Sequence, residues 1–530
     1  MTRSLLSRSG RALASAALLV SSSMFVCASA QTTGGRLTFV QPIEPPALVS
    51  AVNTSAYLAT VSTKIMEGLL SYDPDGKPRP ALAERWEVSP DGKRYTFTLR
   101  RGVKWHDNRP FSAEDVKFSL LEVWKKVHGR GRSTYEKVTN VTTPDDHTVV
   151  VELSEPSPVI LSALSSYESQ VIPKHIFENG DILTNPALNA PIGTGPFKFA
   201  EWRKGQYIRL VRNPDYWDKP KPYLDELVLQ VIPDGGARAA SLEAGETLMG
   251  LFNPVALSDA ARIGRLPNLS VVTTGYQRLA PMYLMEFNLN KKPMSEPKVR
   301  QALAHAINRD FIVKNIYFGF GKPATGPIAS TSSQYTTEGV TQYRSDIAAA
   351  RRLLDEAGYP PAAGGMRFKM TLDTLRDPET LRTAEYLRQA LRPLGIEVEL
   401  RNSDLGTFIR NVYADYGFDA TLNFINTLPD PTMGVDRFYL SSNIKKGTPF
   451  VNTSVRIPAI DELLTKARFE NDPVKRKAMF ADFQRIAQQQ VPILNLFEMH
   501  FITVLNRKVQ GYDADGEGPY ASFKDIWLKQ

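Results

Sequence analysis

The chain has 530 residues, 42% apolar and 23% charged, which leaves room for two or three domains of ordinary globular composition and argues against disorder. Its formal net charge of +8 includes Arg3, Arg8 and Arg11 near the start, and the other basic residues are scattered among acidic ones, so no basic face marks a nucleic-acid binder. The single cysteine, Cys27, excludes disulfides, thiol catalysis and thiolate metal sites once the first thirty residues are removed.

Those thirty residues read as a secretory signal peptide. Arg3, Arg8 and Arg11 precede the apolar run Ala12 to Val20, and Ala28-Ser29-Ala30 supplies the small residues of a cleavage site after Ala30. The run falls short of the roughly 20 residues that span a bilayer, and Val26 before Cys27 is bulkier than lipid-modified cysteines usually follow. No later stretch is apolar over 18 residues, which predicts an exported, soluble mature protein.

Further along, Tyr95, Phe97 and Leu99 alternate as in a strand, and Ser112-Ala113-Glu114-Asp115 has the form of a capping box with Phe111 and Val116 as a hydrophobic staple. A helix therefore starts at Ser112, and Trp105-His106-Asp107-Asn108-Arg109 is the connector before it. Lys125, Lys126, Arg130 and Arg132 read as a solvated loop. Ser295 followed by Pro297 reads as a helix cap, and His305 as a solvated helix position. A helix over Asp346 to Ala357 has an acidic start and stops at Gly358. From Pro378 to Ile425 a helix with Leu381, Ala384, Leu387 and Leu391 stops at Pro393 and Gly395, and the strands Ile396 to Leu400 and Ala420 to Ile425 follow. Asp472-Pro473 opens a last helix. Alternation of this kind predicts α/β architecture with mostly parallel sheets, whose strand-ending loops bind ligands.

Catalytic patterns are thin. His106 and Asp107 are adjacent in a short connector, with no second pair of ligands in reach. Histidines 128, 147, 175, 305 and 500 are far apart and form no H-E-x-x-H. Ser295-Glu296-Pro297-Lys298 matches S-x-x-K without K-T-G or S-D-N, and neither G-x-S-x-G nor G-x-x-x-x-G-K occurs. A secreted α/β hydrolase is the rival reading, but no nucleophile has a base at a recognisable spacing. Neither an enzyme, a metal site nor a cofactor is expected.

The stretches Glu67-Gly68-Leu69-Leu70, Pro80 to Gly92, Gly193-Thr194-Gly195-Pro196-Phe197, Arg212-Asn213-Pro214-Asp215-Tyr216-Trp217 and Lys298 to Leu303 carry a likeness. Together with the connector, and in this order, they resemble the family 5 extracellular solute-binding proteins of bacterial ABC importers, the oligopeptide, dipeptide and nickel-binding group. The resemblance implies a two-lobed periplasmic binding protein of type II with a ligand cleft at the hinge. Lobe one would collect residues 31–72, 190–287 and 497–530, carry an extra domain at 73–189, and face lobe two at 288–496. Crossings are then expected at Asn288-Leu289-Asn290 and Asn495-Leu496-Phe497. The implied protein is a periplasmic monomer that performs no chemistry. It captures a peptide, a peptide-like molecule or another small polar solute, and docks on ABC permease subunits in the inner membrane.

The same resemblance names site residues. Peptide binders of the family hold the ligand's ammonium with an aspartate whose place falls on Thr427, in the loop after Asn423-Phe424-Ile425-Asn426. Asp430 is either a shifted replacement or a turn residue before Pro431. The dipeptide binders' carboxylate-holding arginine falls near Thr374, with Arg376 two residues on. Asn53, Thr54, Ser55 and Tyr57 match the family's first ligand loop, and Gln277, Arg278 and Tyr283 precede the first crossing. Tyr283 and Phe424 also read as core aromatics. The threonine lowers the expectation of a simple dipeptide, because a neutral hydroxyl replaces a charged acceptor.

Overall fold

The computed structural model describes residues 31–512 and 516–530; the expected signal peptide, with Cys27, lies outside them. Strand Arg36–Gln41 turns Leu37 and Phe39 into one apolar core. It forms the middle of a seven-stranded sheet ordered Leu269–Val272, Thr503–Asn506, Met249–Gly250, Arg36–Gln41, Glu226–Val231, Tyr207–Arg212 and Phe197–Arg203. The helix Ala56–Ile65 presents Leu58, Val61 and Ile65 to the buried interior beside it.

A six-stranded sheet builds the second lobe, in the order Gly321–Pro323, Ile493–Met499, Pro281–Phe287, Ala420–Asn426, Phe368–Leu375 and Ile396–Ser403. Its βαβ unit follows local rules. The Asp377 side chain accepts from the Thr380 amide (3.0 Å), Pro378 opens the helix Pro378–Leu391, and Ala384, Leu387 and Leu391 are its buried stripe. The chain then turns at Gly395, at φ 73°, where a Cβ would stand 2.1 Å from the Gly365 carbonyl. Strand Ile396–Ser403 returns parallel to Phe368–Leu375.

Both large sheets are mixed, which corrects the expectation of mostly parallel pairing. In the first, only the pairs made by Arg36–Gln41 are parallel; in the second, only those made by Phe368–Leu375. The remaining strands belong to hairpins or to the passages between lobes, whose geometry reverses direction. The residues expected at the crossings fall in or beside strands of the six-stranded sheet. Pro281–Phe287 and Ile493–Met499 pair with each other in the middle of the six-stranded sheet and are buried along almost their whole length. Residues 273–280 and 500–502 connect strands of the seven-stranded sheet to strands of the six-stranded one, and residues 495–497 lie inside strand Ile493–Met499. Pairing on both flanks leaves those strands no freedom to act as a hinge.

A four-stranded antiparallel sheet, Ala83–Val88, Arg94–Leu99, Thr148–Leu153 and Val138–Asp145, stands beside the seven-stranded one. Tyr95, Phe97 and Leu99 join Leu37 and Phe39 in a single continuous core. The connector organises the seam between the two sheets. Asp115 Oδ2 accepts from the Ser112 amide (3.0 Å) and from Trp105 Nε1 (3.3 Å), while Oδ1 accepts from the Lys174 amide (3.0 Å). The capping box thus starts the helix Ala113–Phe118 and anchors the buried indole together. His106 Nδ1 accepts from the Gly193 amide (3.2 Å), and its Nε2 lies 3.0 Å from the Gly195 carbonyl. Burial pushes the ring's pKa down to about 4, so it stays neutral and structural.

The motif residues meet in one knot. Glu67 accepts from Thr194 Oγ1 (2.8 Å), Tyr216 Oη (2.8 Å) and Trp217 Nε1 (3.0 Å), and a Cβ on Gly193 would stand 1.9 Å from the Ile65 carbonyl. Only a glycine allows that approach. Two smaller expectations need correcting. Glu296, not Ser295, precedes the first residue of the helix Pro297–Ala306, and the Ser295 hydroxyl makes no hydrogen bond. Arg130 is not solvated: the loop at Glu168 folds over it and pairs with it.

Candidate functional site: the cleft between the lobes

Two passages join the two large sheets, and left-handed backbone occurs in the first of them and in segments bonded to both. Ala280 (φ 44°), Leu428 (φ 60°), Phe252 and Asn253 (both φ 55°) adopt left-handed conformations without being glycine, a cost of about 1–3 kcal/mol each that surrounding contacts must hold. They are held by cross-links. The Leu428 amide donates to the Leu279 carbonyl (3.2 Å), and the Asn253 amide to the Ile502 carbonyl (3.0 Å). Tyr276 Oη accepts from the Phe252 amide (2.9 Å) and lies 2.8 Å from Thr503 Oγ1.

Aromatic rings continue from one lobe to the other. Tyr57 meets Phe252 edge-on (6.1 Å between centroids), Phe252 meets Phe501 (5.6 Å), and Phe501 meets Phe424 (5.9 Å). Phe424 is 44% exposed, although its strand neighbours are buried. An exposed ring on an otherwise buried central strand offers apolar area to something that binds over it. Burial raises the Tyr57 hydroxyl pKa against the lowering effect of the Arg238 charge, so the phenol stays protonated and able to donate.

The expected site residues divide. Tyr57 and Phe424 lie on this wall, and Asn426 ends the same strand with its Oδ1 buried and without a partner. Asn53, Thr54 and Ser55 form the turn into helix Ala56–Ile65, where Asn53 Oδ1 accepts from the Ser55 amide (2.8 Å). Gln277 lines a cavity of about 190 Å³ with Tyr276, Pro281, Glu498 and His500, beside both passages. Arg376 is exposed at the end of strand Phe368–Leu375 and donates to the Asn402 carbonyl (3.2 Å). That strand runs parallel to Ala420–Asn426, so Arg376 and Thr427 follow the carboxyl ends of two neighbouring strands.

Two of the expected residues point elsewhere. Tyr283 is 2% exposed in the second lobe's core, stacked on Phe497 (5.2 Å) and 2.7 Å from Thr380 Oγ1. Its strand is central and buried along its length, which places the ring in the core. Asp430 is also unavailable. Its two oxygens accept from Arg476 Nη1 (2.7 Å) and Nη2 (2.8 Å), and Oδ1 also takes the Thr432 amide (3.0 Å) and hydroxyl (2.7 Å). Burial alone would raise its pKa, but the Arg476 charge and these donors hold it below the ordinary carboxylate range. Thr427 gives its hydroxyl hydrogen to the Ala280 carbonyl (2.9 Å) and is 2% exposed, which ties the strand end to the first passage.

Opposite Leu428 and Pro429 lies a polar group that sequence reasoning missed. Glu168 Oε2 accepts from Arg130 Nε at 2.6 Å, Arg130 lies 4.8 Å over the Tyr167 ring, and Tyr167 stacks on Tyr520 at 4.2 Å. Arg278, which was expected, lies 3.6 Å over the Tyr72 ring and lines the same cavity as Glu168. No periodicity or motif in Ser165-Ser166-Tyr167-Glu168-Ser169 signals this role.

The chain has relatives with the same organisation. Residues 77–446 match the family model described as bacterial extracellular solute-binding proteins, family 5 Middle. The chain is 29% identical over 471 residues to the dipeptide-binding protein of Escherichia coli (strain K12), covering 83% of this chain and 84% of that one. Among solved structures, the ABC transporter-associated periplasmic binding protein DppA from Helicobacter pylori, in complex with peptide STSA, superposes with a TM-score of 0.79 at 26% identity, over 94% of this chain and 99% of the other. The binding protein AgaA in complex with agropinic acid, from A.tumefacien R10, gives 0.75 at 27% identity, over 94% and 99%. Two mixed sheets joined by two short passages beside an aromatic wall, and a family match over most of the chain, lead to one conclusion: this chain is a family 5 bacterial extracellular solute-binding protein.

Proposed function

We propose that this protein is the solute-binding component of an ABC importer, exported to the periplasm by removal of residues 1–30, acting as a monomer and performing no chemistry. It captures a peptide or peptide-like solute between its lobes and hands it to a permease in the inner membrane. The observation that carries this reading is the pair of short passages, at 273–280 and 500–502, flanked by an exposed aromatic wall. Two short connections allow two rigid lobes to open and close without unfolding either. Lobe one then comprises 31–72, 190–280 and 500–530 with the extra domain at 73–189, and lobe two 281–499. Tyr57, Phe424, Asn426 and Arg278 face the solute, with Asn53, Thr54 and Ser55 at the rim.

A solute gripped by both lobes binds the folded state alone, so it stabilises by about 2.7 kcal/mol at a hundredfold excess over its Kd. Native mass spectrometry of the freshly purified protein should reveal a co-purified solute that leaves unchanged on denaturation and raises the melting temperature when restored. Multiple turnover of a peptide or ester would show instead that the cleft is an active site.

A further inference from the structure

The extra domain and the second lobe touch through side chains that are not part of the aromatic wall. On one side are the hairpin turn Ser89-Pro90-Asp91-Gly92 and the pair Glu136-Lys137; on the other are the end of the helix Pro458–Phe469 and the loop after it. Gly92 is buried although Asp91 and Lys93 beside it are exposed. A Cβ there would stand 2.8 Å from Asn471 Cγ, so the turn and the loop are in contact. Lys137 Nζ lies 4.7 Å over the Phe469 ring, and Arg468 Nη1 lies 3.9 Å from Glu136 Oε1. The gap left between Lys137, Val159, Thr432 and Phe469 is about 10 Å³, no larger than a water molecule needs.

Each half of this contact is held by its own lobe. Tyr135 and Val138, on either side of Glu136-Lys137, are buried in the core of lobe one, whereas Leu464 and Ala467 belong to a separate core in lobe two. Lys137 pairs with Glu155 (2.8 Å), Arg468 Nη2 donates to Asp436 Oδ2 (3.1 Å), and the Gly92 amide closes its turn onto the Ser89 carbonyl (2.8 Å). Halves already in position lose little freedom when they meet. Among the described residues no backbone hydrogen bond joins 89–93 or 136–137 to 468–471, and the Glu136 side chain is 41% exposed. Such a contact can part and re-form while both lobes stay folded.

We propose that these residues form a clasp for the closed form: Gly92, Glu136 and Lys137 of the extra domain engage Asn471, Arg468 and Phe469 of lobe two, and hold a share of the molecules closed before any solute arrives. This rests on the two-lobed reading above and gives the extra domain a part in closure. None of the six residues lies on the aromatic wall, so the clasp raises affinity for every solute by the same factor, through the closed fraction, and does not choose among them.

The test places spin labels at Glu87→Cys in the extra domain and Ala478→Cys in lobe two, both exposed positions outside the clasp. The chain from residue 31 has no cysteine of its own. Co-purified solute is removed by unfolding and refolding, with circular dichroism as the folding control, and the label separation is read by double electron–electron resonance. In the labelled parent a short separation should be populated without solute, and Glu136→Gln/Lys137→Gln/Phe469→Ala should lower the closed-to-open ratio tenfold or more. Met433→Trp, whose side chain enters the apolar cluster shared by the two lobes, is the control for movement and should lengthen the separation. A short separation in the parent and the triple variant alike, with a long one in Met433→Trp, overturns the clasp alone. So does a long separation in the parent, which leaves the two-lobed reading standing. If the separation stays short in all three, the lobes do not hinge and both readings fail.

Discussion

Asp430 and Glu168 are both carboxylates with no more than 6% exposure, and each faces an arginine, yet their surroundings differ. Asp430 meets Arg476 through both oxygens and adds two donors from Thr432 in the turn it caps. Glu168 meets Arg130 through one oxygen and turns the other toward the cavity at the lobe boundary. A saturated pair makes a rigid fixture, whereas a half-saturated pair leaves one buried acceptor without a protein donor, as at Asp373 and Asp436. Glu67, saturated by Thr194, Tyr216 and Trp217, belongs with Asp430. The residues most distinctive in the sequence therefore build the scaffold, and the cleft is made of less distinctive ones.

The contrast breaks most visibly at the saturated pair. Asp430→Ala leaves Arg476 buried without its counter-ion and should destabilise the protein by about 3–5 kcal/mol. Urea unfolding measures this, and a loss below 1 kcal/mol would mean that the pair is not a fixture. Asp430→Asn should cost more stability than Glu168→Gln, because it breaks a pair whose two oxygens are both engaged.

Another buried acid, with no arginine at all, extends the series. Glu286 is 2% exposed in the central strand Pro281–Phe287, near Asn423 Nδ2 (3.5 Å) and Tyr413 Oη (3.4 Å). Burial pushes its pKa up to about 8, against the lowering effect of those two hydrogen bonds. The folded state thus keeps a proton that the unfolded chain releases near pH 4.5. Its contribution is complete below that pH and is lost as the pH rises through about 8. Between pH 5 and 8 wild type should lose on the order of 2–3 kcal/mol from this group. Glu286→Gln should flatten that slope, as followed by unfolding at several pH values.

Smaller effects probe the passage and the wall. Thr427→Val removes the hydroxyl bonded to the Ala280 carbonyl and should cost about 1 kcal/mol, read as a lowered melting temperature. Phe424→Ala removes a ring already 44% exposed, so stability should change by under about 0.5 kcal/mol. Solute affinity should fall roughly tenfold if the ring packs on the solute. Unchanged calorimetric affinity would take Phe424 out of the site.

Where a signal is carried within a few residues, the sequence alone determined the outcome. Asp346 accepts from the Ala349 amide (2.9 Å), Asp377 from Thr380 (3.0 Å) and Asp472 from Val474 (2.9 Å), and each helix starts where its acid and neighbouring pattern predict. The motif residues likewise carried the family. Tertiary structure decided the rest, because its partners are distant along the chain. Arg130 reads as a solvated cation until Glu168, 38 residues on, folds over it. Asp430 reads as a turn or an anchor until Arg476, 46 residues on, takes both its oxygens. Thr427 meets Ala280 across 147 residues. Strand pairing, likewise non-local, puts Pro281–Phe287 and Ile493–Met499 side by side in the six-stranded sheet. A cap or an apolar stripe is a property of adjacent residues and survives in any context. A site at the meeting of two lobes exists only after both have folded, and which of its polar atoms remain unpaired is settled by packing.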